Sequence, residues 1–255
     1  MTELGRFLFA RRSGIEPGGA GFRTGSRRRV PGLRREELAQ LAGISAEYYQ
    51  RLEQGRAANP SDQVLDALAE ALDLSRVERE YLRHLARPPE AAEIAGCDAR
   101  PELRRMLELL DNVPAVIITD TFDLLASNAR ADDLFEPLGR PANLARALFT
   151  DGAAREFYVE WDQVAAATAA QLRMVAGRYP ADSELSKLIE DLSKCSTDFA
   201  SLWGSGRVDV RTHGSKSFRH PRLGVVVVDY ENFDLPGDPR RRLVVFAPAK
   251  PESSA

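Results

Sequence analysis

Cysteine is nearly missing from this 255-residue chain. Only Cys97 and Cys195 occur, each isolated. A disulfide scaffold and a cysteine-based zinc site are therefore not expected, and a reducing, cytoplasmic setting is. Histidine is almost as scarce, with three residues, and none has a second histidine or a cysteine at metal-ligand spacing. No Gly-x-Ser-x-Gly elbow occurs, so neither metal-assisted nor serine-based catalysis is indicated, and no cofactor is implied. No run approaches eighteen apolar residues, which excludes a helical membrane span. The start, MTELGRFLFARRSG, has a short apolar patch but no small-residue cleavage site, and is not expected to be a secretory signal.

What is present is an uneven charge. Residues 1–60 carry eleven arginines and six acidic residues, while the remainder is acidic on balance. Between Arg23 and Arg35 stand six arginines and no acid. A basic head on an acidic body points to a polyanion that meets only the head. The alternative is a solvated charged face.

The apolar pattern divides the chain. Residues 1–88 read as short helices: Leu4–Arg12, Arg34–Ala42, Ala46–Gln54, one starting at Asn59-Pro60-Ser61, and one opened by Ser75. Residues 89–100, PEAAEIAGCDAR, read as a linker that follows Pro88. From 101 to 249 a second domain is expected. It begins with a helix at Pro101–Leu110 and two short strands, Ala115–Thr119 and Leu124–Ser127, joined by a turn at Asp120–Asp123. A helical middle follows, and then strand candidates at Val208–Arg211, Leu223–Tyr230 and Leu243–Ala247. The order predicts an all-α head followed by an α+β domain with one antiparallel sheet covered on one face.

Residues 32–56, GLRREELAQLAGISAEYYQRLEQGR, carry the chemistry. Leu38, Ala39 and Leu41 offer an inward face, Gly43 a left-handed exit and Ile44 a plug at the turn. Ser45 is a good N-cap, and Tyr49 and Leu52 fall on the inner side of the second helix. Ala46, Glu47, Tyr48, Gln50 and Arg51 are left facing outward. In a helix-turn-helix these would meet base edges in the major groove: arginine with guanine, glutamine with adenine, glutamate with cytosine. Arg28, Arg29, Arg34, Arg35 and Arg56 flank the unit as candidate phosphate contacts, which set register without reading sequence. A plain two-helix hairpin in an adaptor protein would share much of this pattern.

The motifs go further than the pattern. Leu52-Glu53-Gln54-Gly55 resembles the signature that closes the second helix in Xre/Cro-like repressors. Arg28-Arg29-Val30-Pro31-Gly32-Leu33-Arg34-Arg35-Glu36-Glu37, Ala42-Gly43-Ile44-Ser45, Tyr48-Tyr49 and Arg51 to Arg56 resemble the MmyB-like transcription regulators. So do Asn112-Val113-Pro114-Ala115, Asn128, Ser196-x-x-Phe199-x-x-Leu202-Trp203, Lys216 and His220-Pro221-x-Leu223-Gly224. The resemblance implies sequence-specific binding to double-stranded DNA and a PAS-like second domain. That domain's cavity would hold a small hydrophobic effector such as a fatty acid.

From the residues themselves, Trp161, Leu172, Phe199, Trp203 and Tyr230 are candidates to line such a cavity, although large apolar groups are more often plain core. Arg173 is a candidate partner for a ligand carboxylate, the alternative being a surface arginine bridged to an acid. His220, before Pro221, suits turn closure better than catalysis. A homodimer is expected, because one small reading head contacts few base pairs. The alternative for the second domain is a dimerisation module with a filled core.

Overall fold

The computed structural model describes residues 2–19, 22, 32–57, 59–88 and 98–249. Two compact units are present, one built mainly from residues up to 88, the other mainly from residues beyond 98.

The first unit has five helices: α1 (Glu3–Gly14), α2 (Arg35–Leu41), α3 (Ala46–Glu53), α4 (Asp62–Ala71) and α5 (Arg76–Ala86). Short hydroxyl side chains start four of them by accepting from otherwise unpaired first-turn N–H groups. These are Thr2 for α1, Ser45 for α3, Ser61 for α4 and Ser75 for α5. Ser75 and Glu78 complete a reciprocal capping box. The helix start read at Asn59-Pro60-Ser61 falls on Ser61, with Pro60 just outside the helix. Leu8, Leu33, Leu38, Tyr49, Leu52, Leu65, Leu68 and Leu82 form the buried centre. Each such side chain stabilises the unit by roughly 1.5–3 kcal/mol relative to exposure. Leu41, read as inward-facing, is instead exposed. Leu38, Ala39 and Ala42 form the buried stripe of the helix end, and at 100° per residue Leu41 falls outside it.

The second unit opens with α6 (Pro101–Leu109), β1 (Ala115–Thr119) and β2 (Leu124–Ser127). Then come α7 (Ala129–Leu134), α8 (Leu144–Thr150), α9 (Gly152–Phe157), α10 (Trp161–Arg178), α11 (Ser183–Cys195) and α12 (Thr197–Gly204). It ends with β3 (His213–His220), β4 (Gly224–Leu235) and β5 (Asp238–Pro248). The five strands make one antiparallel sheet in the order β2-β1-β5-β4-β3. This is the expected α+β, PAS-like class.

Alternation along the strands sorts the side chains. Val116 and Ile118 of β1, Phe218 of β3, Val228 and Tyr230 of β4, and Val244 and Phe246 of β5 share the inner face with Leu134, Leu138 and Phe157. Ala115 and Ile117 point the other way, against Leu107 of α6. All five residues of β1 are therefore buried. Asn128 fixes the entry to β1: its Oδ1 accepts from Ala115 N (3.1 Å) and caps α7 at Ala131 N (2.9 Å), while its Nδ2 donates to the carbonyls of Leu110 (2.6 Å) and Val113 (2.9 Å).

The strand expected at Val208–Arg211 does not form; β3 starts at His213. The alternation of Val208 and Val210 with charged residues is present, but the carbonyl of Arg211 accepts from the Asn232 side chain (2.6 Å) rather than from a ladder partner. His220 closes its turn as anticipated. Its Nδ1 accepts from the N–H groups of Arg222 (3.1 Å) and Leu223 (3.3 Å), which leaves Nε2 to donate to the Asp133 carbonyl (3.1 Å).

Candidate nucleic-acid interface and ligand cavity

The junction between α2 and α3 is set by one glycine. Gly43 has φ +63°, with Gly43 N bonding the Gln40 carbonyl (3.2 Å) and Ile44 N the Ala39 carbonyl (3.0 Å). That is a Schellman stop, and a side chain there would be strained by the backbone alone, since a Cβ would meet nothing within 4 Å. Two residues later Ser45 Oγ accepts from Tyr48 N at 3.1 Å and starts α3.

On α3, Tyr49 and Leu52 are fully buried, Ala46 and Tyr48 partly so, and Glu47, Gln50 and Arg51 are exposed. All five candidate base-reading positions thus lie off the core side. Arg34 and Arg56 are exposed at either end of the α2–α3 unit. Among the described residues neither they nor Arg51 enters an ion pair. Arg35 is different. Its Nε donates to Glu53, a carboxylate that is only 1% exposed and is also bound by Arg12. Arg35, read as a phosphate contact, thus has its guanidinium on Glu53 while its side chain remains 41% exposed. Arg28 and Arg29 lie outside the described residues.

In the second unit the inner sheet face and helices α8 and α10 line a partly open cavity of about 90 Å³. Val116, Ile118, Phe135, Leu148, Phe218 and Val244 supply apolar wall, and Val164, Thr168 and Gln171 of α10 face them. Phe122 also lines it, from the β1–β2 turn, with a left-handed φ of 69°. An aromatic residue in that region is strained and persists only where its surroundings dictate it. Here the turn is locked: Asp123 Oδ2 accepts from the hydroxyls of Thr119 (2.9 Å) and Thr121 (2.7 Å). Asn143 Nδ2 ties Asp123 Oδ1 (2.9 Å) and the Thr121 carbonyl (2.8 Å).

Three cations line this space, Arg211, Lys216 and Arg242. Lys216 places its ammonium 4.6 Å from the centroid of the Tyr230 ring. Burial, reinforced by the positive Arg242 and Arg211, pushes the ammonium down to about 8. Arg242 lies against Gln171 and 5.2 Å from the Phe122 ring centroid. Burial lowers it to about 10.

A helix-turn-helix domain model matches residues 3–82. The model of the MmyB-like transcription regulator ligand binding domain matches residues 99–255. The chain belongs to the MmyB-like transcription regulators. A search of curated proteins returned no match. The regulator thus combines a DNA-binding helix-turn-helix with a ligand-binding domain. Among the described residues no helix is long and apolar enough to cross a membrane.

Of the six residues read as ligand contacts in this MmyB-like regulator, Tyr230 alone lines the cavity. Trp161, Phe199 and Trp203 build a separate aromatic cluster around Phe149, with ring centroids 6.1 Å apart for Phe149–Trp161, 5.0 Å for Phe149–Phe199 and 5.7 Å for Phe199–Trp203. Trp161 Nε1 is satisfied by the Leu148 carbonyl at 3.1 Å. Leu172 is fully buried and does not line the cavity. Arg173 is buried with its guanidinium 4.2 Å from the Trp203 ring centroid and donates to the Trp203 carbonyl. These five lie outside that cavity, packed against other side chains, and Arg173 is buried rather than at the surface. Arg242 was missed, because Arg240-Arg241-Arg242 reads as a charged run. Strand alternation was the available signal: a period of two back from Val244 and Phe246 puts residue 242 on the inner face.

Proposed function

We propose that the MmyB-like regulator reads DNA as a homodimer through α3 and changes its hold on DNA when a small hydrophobic effector enters the sheet-and-helix cavity. The observation that carries the DNA half is the exposed outer side of α3, bounded by Arg34 and Arg56, neither of them in an ion pair among the described residues. In this reading Arg51, Gln50, Glu47 and Tyr48, with Ala46 at the helix start, face base edges. Arg34 and Arg56, together with Arg28 and Arg29, meet phosphates. Two copies reading half-sites about one helical turn apart, ~34 Å, would multiply the specificity of one small head.

The effector half rests on the family and on the cavity's lining. A fatty-acid-like molecule suits the aromatic and aliphatic wall. At about 90 Å³ the cavity is well below the ~300 Å³ or more that houses a drug-sized ligand, so α8 and α10 must part from the sheet on binding. An effector that displaces these helices has a differential interaction with two arrangements of the domain, which is the requirement for control. A tenfold to hundredfold change in DNA affinity corresponds to about 1.4–2.8 kcal/mol of coupling.

The test is selection of duplexes from a random pool with the full chain, followed by titration of the selected site at several salt concentrations with and without lipid extract. Sequence-selective binding that weakens steeply with salt and shifts with extract is expected. Binding that is absent, or blind to sequence, refutes the DNA half. Native mass spectrometry of the same sample reports the dimer and any retained lipid.

A further inference from the structure

We propose that the outer face of β4 in the ligand-binding domain is where two copies of this chain meet, their sheets stacked antiparallel about a two-fold axis. The inference rests on the homodimer reading above and adds the surface that forms it.

The sheet is covered unevenly. On its outer side α6 closes over β1 and β5, where Leu103, Leu107 and Leu110 pack with Ala115, Ile117, Leu243 and Val245. β4 has no such cover among the described residues. Val228 and Tyr230 point into the core. Alternation therefore turns Val225, Val227 and Phe233 outward, where they are 62, 45 and 48% exposed. Ten large apolar side chains are exposed among the described residues. Six lie on this side of the domain or at its edge: these three, Leu223 in the turn before β4, and Met106 and Leu109 on α6. Single exposed apolar groups are ordinary, whereas a gathered set marks a contact surface.

The charges on this face say what covers it. Arg219, opposite Val225 on β3, and Arg222 in the turn stand at one end of the valine row, and Asp229 and Glu231 at the other. All four are exposed, and none is in an ion pair among the described residues. Such a face is complementary to itself turned end for end. A two-fold axis crossing β4 near Val227 lays the Arg219 end of each copy over the Glu231 end of the other and sets valine on valine. A parallel stacking would set Asp229 and Glu231 on their own copies. β4 has 12 residues, roughly 40 Å at ~3.4 Å each, and three strands are about 14 Å wide. That is roughly 560 Å² before side-chain relief and the α6 flank are added, within reach of the ~800 Å² that each partner gives to a stable complex.

The test is sedimentation velocity of the full chain over roughly a hundredfold range of concentration. The proteins are the parent, Val227→Lys, Arg219→Glu, and Arg219→Glu combined with Glu231→Arg. Val227→Lys brings two ammonium groups to the axis and should weaken association about tenfold or more, and Arg219→Glu about threefold or more. The combined variant should return to within about threefold of the parent. Arg219 is paired with Val225, and six residues, roughly 20 Å, separate Val225 from Glu231. The two charges cannot meet within one chain, so recovery comes from the partner copy and also shows that the single loss is not a folding failure. If Val227→Lys dimerises like the parent, or if the combined variant does not recover, this interface is refuted while the homodimer stands. A parent that is monomeric at every concentration overturns both, and leaves the face to another segment of the chain or to another protein.

Discussion

Glu53 and Arg12, forty-one positions apart, form a buried ion pair in the helix-turn-helix unit, with Arg12 Nε and a terminal nitrogen 3.1 and 2.8 Å from the same carboxylate oxygen. Arg12 also donates to the Leu33 carbonyl (2.6 Å), and Arg35 takes the other oxygen of Glu53. One carboxylate therefore joins α1, the start of α2 and the end of α3. The glutamate of the Leu-Glu-x-Gly signature is thus an internal tie, and it sets the angle at which α3 is presented.

Replacing Glu53 by glutamine is expected to strand the buried Arg12 charge and to destabilise the unit by about 3–5 kcal/mol. Arg35→Ala is expected to cost about 1 kcal/mol or less, because its side chain is 41% exposed and water can replace much of the contact. Denaturant unfolding of the two variants checks the ranking. Equal losses would show that the Arg35 contact, not the Arg12 pair, carries the tie.

Arg51→Ala is expected to lose discrimination at one base position, by about 1–3 kcal/mol, while its non-specific binding changes little. Arg34→Ala and Arg56→Ala should weaken binding on every duplex and each lower the slope of log affinity against log salt by about 0.9. The measurement is a titration on the selected site and its single-base variants at four salt concentrations. A uniform loss for Arg51→Ala would remove it from the base-reading set.

Affinity for octanoate, a short fatty acid, should depend on pH through Lys216, because the ammonium is the form that holds an anion. Its neighbours in the cavity include Arg242, itself lowered to about 10 and so losing charge only toward the top of the range, and Tyr158 and Tyr230, whose hydroxyls burial pushes up. With Lys216 near 8, affinity is expected to be level below about pH 7 and to fall up to about tenfold per unit above 8. The stability of the unliganded protein moves the other way. Between about 8 and 10.5 the unfolded chain binds a proton that the folded protein does not. The cost of the buried charge is therefore present in full below 8 and relieved as pH rises. Calorimetric titrations at pH 6.5 to 9.5 give the profile, and a level profile throughout would rule out Lys216 as the titrating contact.

Arg173→Met should leave octanoate affinity within about twofold while lowering the stability of the ligand domain, since the stacked and hydrogen-bonded contact to Trp203 is lost. A loss of binding with stability intact would return Arg173 to the ligand site.

The sequence disclosed most where local chemistry decides the structure. Ser45, Gly43 and the spacing of Tyr49 and Leu52 place α3 and its outer side, because caps and helical period act within a few residues. β1 and β2 fall where their short apolar runs put them. What depends on distant partners was hidden. Nothing near Arg35 announces that Glu53 will reach it, and nothing near Arg173 announces Trp203. Which residues line the cavity was hidden for the same reason. Aromatic residues in the helical middle look alike whether they fill a core or frame a space. The sheet register that brings Lys216 and Arg242 to one face is set by pairings with residues on other strands.

β5 runs between β1 and β4, with Ala115 opposite Val245 and Tyr230 opposite Phe246. The last of these five strands to be synthesised is therefore the keystone of the sheet. Until it arrives, β1–β2 and β3–β4 are two hairpins with bare edges, while the head, which precedes them in the chain, has already been synthesised whole. A message truncated before Asp238 would release a duplex-gripping head with nothing assembled to govern it.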